Sequence, residues 1–153
     1  MKLSEILEVS NIIPDLKARD KKEALEELAE AVVSNKPALD KPSLVKILLE
    51  RERLGSTGIG DGVAIPHGKF GGIVQPIVSF GRSLKGLDFE SMDGQPAFLF
   101  FLLLAPENSA NIHLKVLARI AKILKNSSLR KLLMEAGSGK ELYETIIQDD
   151  EDI

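Results

Sequence analysis

The apolar positions of this chain change period several times, and each change marks an element. Leu25, Leu28, Ala29 and Val32 recur at helical spacing behind Asp20-Lys21-Lys22-Glu23. That start is an Asp form of the capping box, so it predicts a helix opening at Asp20. Ahead of it, Ile12-Ile13 predicts a short strand, which Pro14 confines to an edge or an end of a sheet. The stretch from Asn35 to Pro37 ends the first helix. Asp40 and Pro42 start a second, with Leu44, Ile47, Leu48 and Arg51 on one face, and Gly55 stops it. Val63 to Ile65 and Ile73 to Phe80 read as strands. Leu87 and Phe89 alternate with polar residues ahead of Asp93-Gly94, a hairpin turn signal. The run from Ala97 to Leu104 is apolar on both faces, the pattern of a mid-sheet strand covered by helices on both sides. Ser109 or Asn108 caps a helix carrying Leu114, Leu117, Ala118, Ala121 and Leu124. Ser127 to Ala136 forms another, closed by Gly137, and Ser138-Gly139-Lys140-Glu141 opens the last. The sum is an α/β protein: a single three-layer α/β/α domain over residues 1–147, its central sheet mixed rather than parallel because of the hairpin. Residues 148–153, Gln-Asp-Asp-Glu-Asp-Ile, form an acidic tail expected to fray.

Composition narrows what such a domain does. At 153 residues the chain is long enough for a full core without staples. Its 44% hydrophobic and 28% charged content fits a globular rather than a disordered chain. The absence of cysteine removes disulfides, thiolate metal sites and a cysteine nucleophile, and is compatible with a reducing cytosol. Met1-Lys2-Leu3-Ser4-Glu5 lacks an apolar signal core, and the longest apolar run, Ala97 to Ala105, is too short to cross a bilayer. A cytoplasmic protein with no membrane insertion is expected. A net charge of −3 without a basic cluster argues against nucleic acid as a partner.

The candidate chemistry centres on two histidines, the only ones in the chain. His67 lies in the densest glycine stretch, between Pro66 and Gly68, which predicts an imidazole held on a turn and open to a large partner. Its ordinary pKa of about 6.5 makes it largely neutral and nucleophilic at cellular pH. His113 falls in the first turn of its helix, where backbone N–H groups and the dipole favour an anion and disfavour an imidazolium. Arg51 ends the helix that feeds the glycine loop and can grip phosphate oxygens with two N–H groups. Thr57 offers a hydroxyl on the same loop. Plainer readings stand beside these: a surface histidine at a turn, a helix-start histidine bonded to the chain before it, an arginine paired with Glu50, and a turn threonine.

Other motifs fail. Gly62 to Lys69 resembles a P-loop, but five residues rather than four separate its glycines, and Phe70 stands where a Ser or Thr belongs. Ser43-Leu44-Val45-Lys46 lies on an ordinary amphipathic helix without companion motifs. Asn126-Ser127-Ser128 is a sequon in a chain without a secretory signal. Two distant histidines without a third ligand make a weak zinc site.

The stretch Arg51-Glu-Arg-Leu-Gly-Ser-Thr57-Gly-Ile-Gly-Asp-Gly-Val-Ala-Ile-Pro-His67-Gly-Lys69 resembles the signature of enzyme IIA of the bacterial phosphotransferase system, fructose–mannitol class. Leu16-Lys17-Ala18, the run Lys21 to Ala29, and a chain that stands alone without a transporter domain resemble the nitrogen-regulatory form most closely. The resemblance covers roughly Leu3 to Ile147. It implies a mixed sheet between helices. It implies that His67 is phosphorylated, that Arg51 contacts the phosphoryl group, that His113 is a second active-site histidine supporting His67 or the phosphate, and that Thr57 is the loop threonine of the phosphoryl-binding set. Asp61 occupies a loop position that varies in the family. The donor it implies is a histidine-phosphocarrier protein, and no cofactor or metal is called for. Three outcomes stay open: a phosphorelay with regulatory output, a sugar-uptake component that passes the group to an enzyme IIB, and a non-catalytic anion-binding or interaction module.

Overall fold

A computed structural model describes residues 1–151. After a short 3-10 turn at Leu3–Glu5, the elements are β1 (Leu7–Ile13), α1 (Lys21–Asn35), α2 (Lys41–Arg53), β2 (Gly58–Gly60), β3 (Val63–Ala64), β4 (His67–Phe70), β5 (Ile77–Leu87), β6 (Ala97–Pro106), α3 (Ala110–Lys125), α4 (Ser127–Glu135) and α5 (Gly139–Glu151). Six strands form one mixed sheet in the order β1-β5-β6-β3-β2, with β4 also on β6. β5 and β6 are antiparallel, while β1 on β5 and both β3 and β4 on β6 are parallel.

β6 is the axis of the fold, as its unbroken apolar run predicts. Its alternate residues enter two cores. Leu99, Phe101 and Leu103 pack with Val116, Ile120 and Ile123 of α3 and with Leu142 and Ile146 of α5. Phe100, Leu102 and Leu104 pack with Leu25, Leu28 and Val32 of α1 and with Leu44 and Leu48 of α2. Period-two alternation on a strand thus separates the helices into two layers.

Three caps follow the sequence, whereas Ser109 makes no side-chain capping bond to α3 and its hydroxyl donates to the Pro106 carbonyl at 2.7 Å. The Asp20 carboxylate accepts the Glu23 N–H at 2.9 Å, Asp40 accepts that of Ser43 at 3.1 Å, and Ser138 Oγ accepts that of Glu141 at 3.1 Å. Ile12-Ile13 is the end of an edge strand that begins at Leu7, and Pro14 follows directly.

Four expectations need correction. The strand expected from Ile73 starts at Ile77, because Gly71 and Gly72 open a turn and Pro76 has no N–H for a ladder. The β5–β6 connection is a loop from Asp88 to Pro96 rather than a tight hairpin, although a turn at its tip does place Gly94 N–H on Ser91 O at 3.0 Å. On α3 the buried stripe is His113, Val116, Ile120, Ile123 and Leu124, while Leu114 is exposed. Apolar residues cover more than half of this helix, so two overlapping stripes were available, and docking on β6 selected the one with the β-branched residues. Finally, Gln148–Glu151 of the acidic tail is helical rather than frayed. Asp150 is fully buried, accepts the Leu3 N–H at 2.8 Å and pairs with Arg119. Asp152 and Ile153 lie outside the described residues.

Candidate functional site

The glycine stretch is more ordered than its composition suggests. β2 and β3 form a hairpin in which Asp61 (φ 57°) and Gly62 (φ 77°) are the two central residues. Two successive positive φ angles are the type I′ turn that Asp-Gly favours. Val63 faces Leu99 and His67 faces Leu103, the same offset along β6. β3 and β4 are therefore one strand in register, interrupted at Ile65-Pro66. His67 begins β4 instead of sitting on a turn, as the proline and glycine beside it had suggested. The interruption leaves the Pro66 carbonyl to accept the Leu103 N–H at 3.0 Å. Gly68 keeps an ordinary strand backbone. Its missing side chain serves packing, since a Cβ there would lie 2.9 Å from Ile47 Cγ2 of α2. That close approach brings Arg51, one turn beyond Ile47, toward His67.

His67 is half-buried, and its ring centroid lies 5.3 Å from that of His113, with the planes at 59°. His67 Nδ1 is 2.7 Å from the Ile65 carbonyl. A carbonyl only accepts, so the proton sits on Nδ1 and Nε2 carries a free lone pair. Burial pushes the His67 pKa below its ordinary value, opposed by the Ile65 bond; the Arg51 charge lowers it further and Glu52 opposes this. His113 is 8% exposed, and its pKa is also pushed down, first by burial and then by His67 and Lys69. Both shifts favour the neutral ring at pH 7. His113 Nδ1 is buried without a hydrogen-bond partner among the described residues. A bare lone pair there costs less than a bare N–H, which places the proton on Nε2 as a donor.

Arg51 is half-buried and donates from Nη1 to the Gly55 carbonyl at 2.9 Å, so it is tied to the loop rather than to Glu50. Thr57 is buried, and its hydroxyl donates to Glu52 Oε2. In this arrangement the hydroxyl proton serves the loop. The structure therefore brings His67 and His113 together and sets Arg51 within electrostatic reach, while Thr57 lies beneath the loop.

Sequence reasoning missed Glu52, which is 7% exposed. It accepts the Thr57 N–H at 3.1 Å and pairs with Lys21 Nζ at 3.0 Å. A signal was available: Glu52 continues the i, i+4 stripe of Leu44 and Leu48, so a carboxylate stood in line with a buried face. Lys21 in turn sits over the Phe89 ring, 5.1 Å from its centroid. Among the described residues no group of three or more His, Cys, Asp or Glu is placed to hold a metal, and no helix is long and apolar enough to cross a membrane.

Residues 5–149 match the family described as phosphoenolpyruvate-dependent sugar phosphotransferase system, EIIA 2. A nitrogen regulatory protein of Bradyrhizobium diazoefficiens is 41% identical over 146 residues, covering 95% of this chain and 95% of that protein. The fructose-specific EIIABC component of Bacillus subtilis is 37% identical over 150 residues; the match takes in 98% of this chain but spans only 24% of that protein's length. The crystal structure of nitrogen regulatory protein IIA-Ntr from Neisseria meningitidis is similar with a TM-score of 0.87 at 37% identity, over 94% of this chain and 98% of that one. With the Arg51-to-His67 signature folded around a pair of imidazoles, the chain belongs to the EIIA 2 family of the sugar phosphotransferase system.

Proposed function

We propose that this protein is a cytoplasmic phosphorelay component that accepts a phosphoryl group on Nε2 of His67 from a phosphohistidine of a carrier protein, with regulatory output. The observation that carries the reading is the bond from His67 Nδ1–H to the Ile65 carbonyl, which aims an unprotonated Nε2 outward beside His113. The donor's phosphorus docks between its own imidazole and that of His67. The P–N bond of the donor breaks, its electron pair returns to the donor ring, and a P–N bond forms at Nε2. His67 keeps its Nδ1 proton, and the Ile65 carbonyl stabilises the positive charge that the ring gains. The transition state is loose and spreads charge over three equatorial oxygens. The Arg51 guanidinium and the His113 Nε2–H are the groups able to meet that charge. Ile112 and Leu114, the sequence neighbours of His113, are exposed. Apolar surface around a reactive group suits a protein partner.

The test is incubation with enzyme I, a histidine-phosphocarrier protein and phosphoenolpyruvate, followed by intact mass. One acid-labile phosphoryl group per chain is expected, and a chain that gains none overturns the reading. The end-to-end match to a nitrogen regulatory protein favours regulatory output. The match to a fructose-specific protein favours a second reading, transfer onward to an enzyme IIB in sugar uptake. A chase of the phosphorylated chain with IIB components separates them: retention of the label supports regulation, and rapid loss supports uptake.

Arg51→Lys keeps the charge but loses the planar fork. It is expected to slow phosphoryl acceptance ~10- to 100-fold, equivalent to about 1.4–2.7 kcal/mol at the transition state. Rapid-quench single turnovers check this, and an unchanged rate reduces Arg51 to a tether on Gly55.

The lowered pKa values of both histidines predict a pH profile. Acceptance falls to half at a pH below about 6.5, the ordinary imidazole value, because the folded rings resist protonation. Stability follows the same sign. The unfolded chain binds protons at these histidines before the folded one does, so their contribution is fully present above about pH 6.5 and is lost as pH falls toward the folded values. Rates that halve near pH 7 contradict this.

A further inference from the structure

We propose that Glu52 is a positioning residue for His67, acting through a chain of hydrogen bonds that runs from Lys21 through Glu52, Thr57 and Ile65 to the imidazole. Each link is short and directed. Lys21 Nζ lies 3.0 Å from Glu52 Oε1, and the same oxygen accepts the Thr57 N–H at 3.1 Å. The Thr57 hydroxyl donates to Glu52 Oε2, so the carboxylate pins this residue by both backbone and side chain. The Thr57 carbonyl accepts the Ile65 N–H at 2.9 Å, and the Ile65 carbonyl accepts His67 Nδ1–H at 2.7 Å. The last bond selects which ring nitrogen is the nucleophile.

The placement of the two charges supports this role. Lys21 is the first residue of α1 and Glu52 lies in the last turn of α2. Each stands at the end of its helix where the dipole disfavours its sign. Both are nearly enclosed, with side-chain exposures of 13% and 4%. Neither helix gains from its own charge, so the pair is explained by what it holds, and what it holds is the glycine loop at Thr57. Glu52 makes no hydrogen bond to either ring of the histidine pair, and its charge acts on His67 through space. It fixes the backbone on which the ring of His67 is hung, and a misaligned nucleophile is slow even when intact.

The rate arm of the test rests on the phosphoryl-acceptor reading, whereas the tautomer arm does not. Glu52→Gln, Thr57→Val and Thr57→Ser are prepared in the full chain, and thermal melting identifies which are folded. The ring tautomer of His67 is read by 15N NMR above pH 7.5, and phosphorylation by single turnover with the phosphorylated carrier. The wild type is expected to show His67 with the proton on Nδ1. Glu52→Gln is expected to mix the two tautomers and to slow phosphorylation about 10-fold or more, because a misplaced nucleophile loses the alignment that supplies much of the rate. Thr57→Val changes both readouts in the same direction by less, and Thr57→Ser restores both. A folded Glu52→Gln protein with wild-type tautomer or wild-type rate overturns the proposal. If Glu52→Gln does not fold, Thr57→Val decides, and its equality with Thr57→Ser in either readout overturns the proposal. If the wild type accepts no phosphoryl group, the functional reading fails separately, and the tautomer alone decides whether Glu52 sets the ring.

Discussion

His67→Ala is expected to gain no phosphoryl group at all in the reconstituted relay, since it removes the only nitrogen whose lone pair is set free by the Ile65 bond. His113 variants are expected to fall between it and the wild type. A glutamine amide supplies one N–H in place of His113 Nε2–H, whereas alanine supplies none, so His113→Gln retains more transfer than His113→Ala. Both retain more than His67→Ala. The burial of His113 makes a stability control necessary, because alanine there opens space against the sheet face of α3. Melting temperature and single-turnover rate are measured on the same preparations. A rate that falls no further than the melting temperature explains would make His113 a packing residue. Label that persists in His67→Ala, or that maps to His113, would reverse the two roles.

Arg82→Met is expected to produce a large loss of stability for a polar side chain remote from the two histidines. Arg82 is buried in the middle of β5 and is held by backbone carbonyls. Its Nε donates to Pro14 O at 2.9 Å, and its Nη1 donates to Leu133 O at 2.9 Å and Ala136 O at 2.6 Å. The guanidinium thus closes the C-terminal end of α4, where the dipole favours a cation. Methionine matches the stem and removes every one of these donors, together with the longer contact from Nη1 to Met134 O at 3.5 Å. The cost is about 3 kcal/mol. For a chain of this size that lowers the melting temperature by roughly 6–12 °C. Lys17→Met breaks only an exposed pair with Asp15 and is expected to leave the melting temperature almost unchanged. Equal melting of Arg82→Met and wild type, by calorimetry, would mean that the carbonyls find other donors.

Local signals carried much of this architecture. Asp20, Asp40 and Ser138 each cap the helix they announce, because a cap is a contact within three residues. The apolar run of β6 declared a strand covered on both faces, because that demand is written in every residue of it. The long signature from Arg51 to His67 was specific enough to point to the family. The Asp61-Gly62 turn was equally legible and went unread, hidden in a stretch whose glycines suggested looseness.

What the chain alone determined, then, is the succession of five helices, three of their caps, the covered central strand and the three side chains proposed to handle the phosphoryl group. What only the tertiary structure decided are the choices among locally equivalent options. α3 could bury either of two apolar stripes, and packing on β6 turned His113 inward and left Leu114 at the surface. Asp150 reads as part of a solvated acidic tail until Arg119 and the Leu3 N–H, both distant in sequence, enclose it. The Thr57 hydroxyl could face an anion or the loop, and a carboxylate five residues away took it. Glu52 itself is bearable in a buried position because Lys21 arrives from another helix and Thr57 donates to both carboxylate oxygens. Apart from Thr57, whose partner stands five residues back, the deciding interaction joins residues far apart in the chain or selects one face of an element, and neither is encoded in local propensity or period.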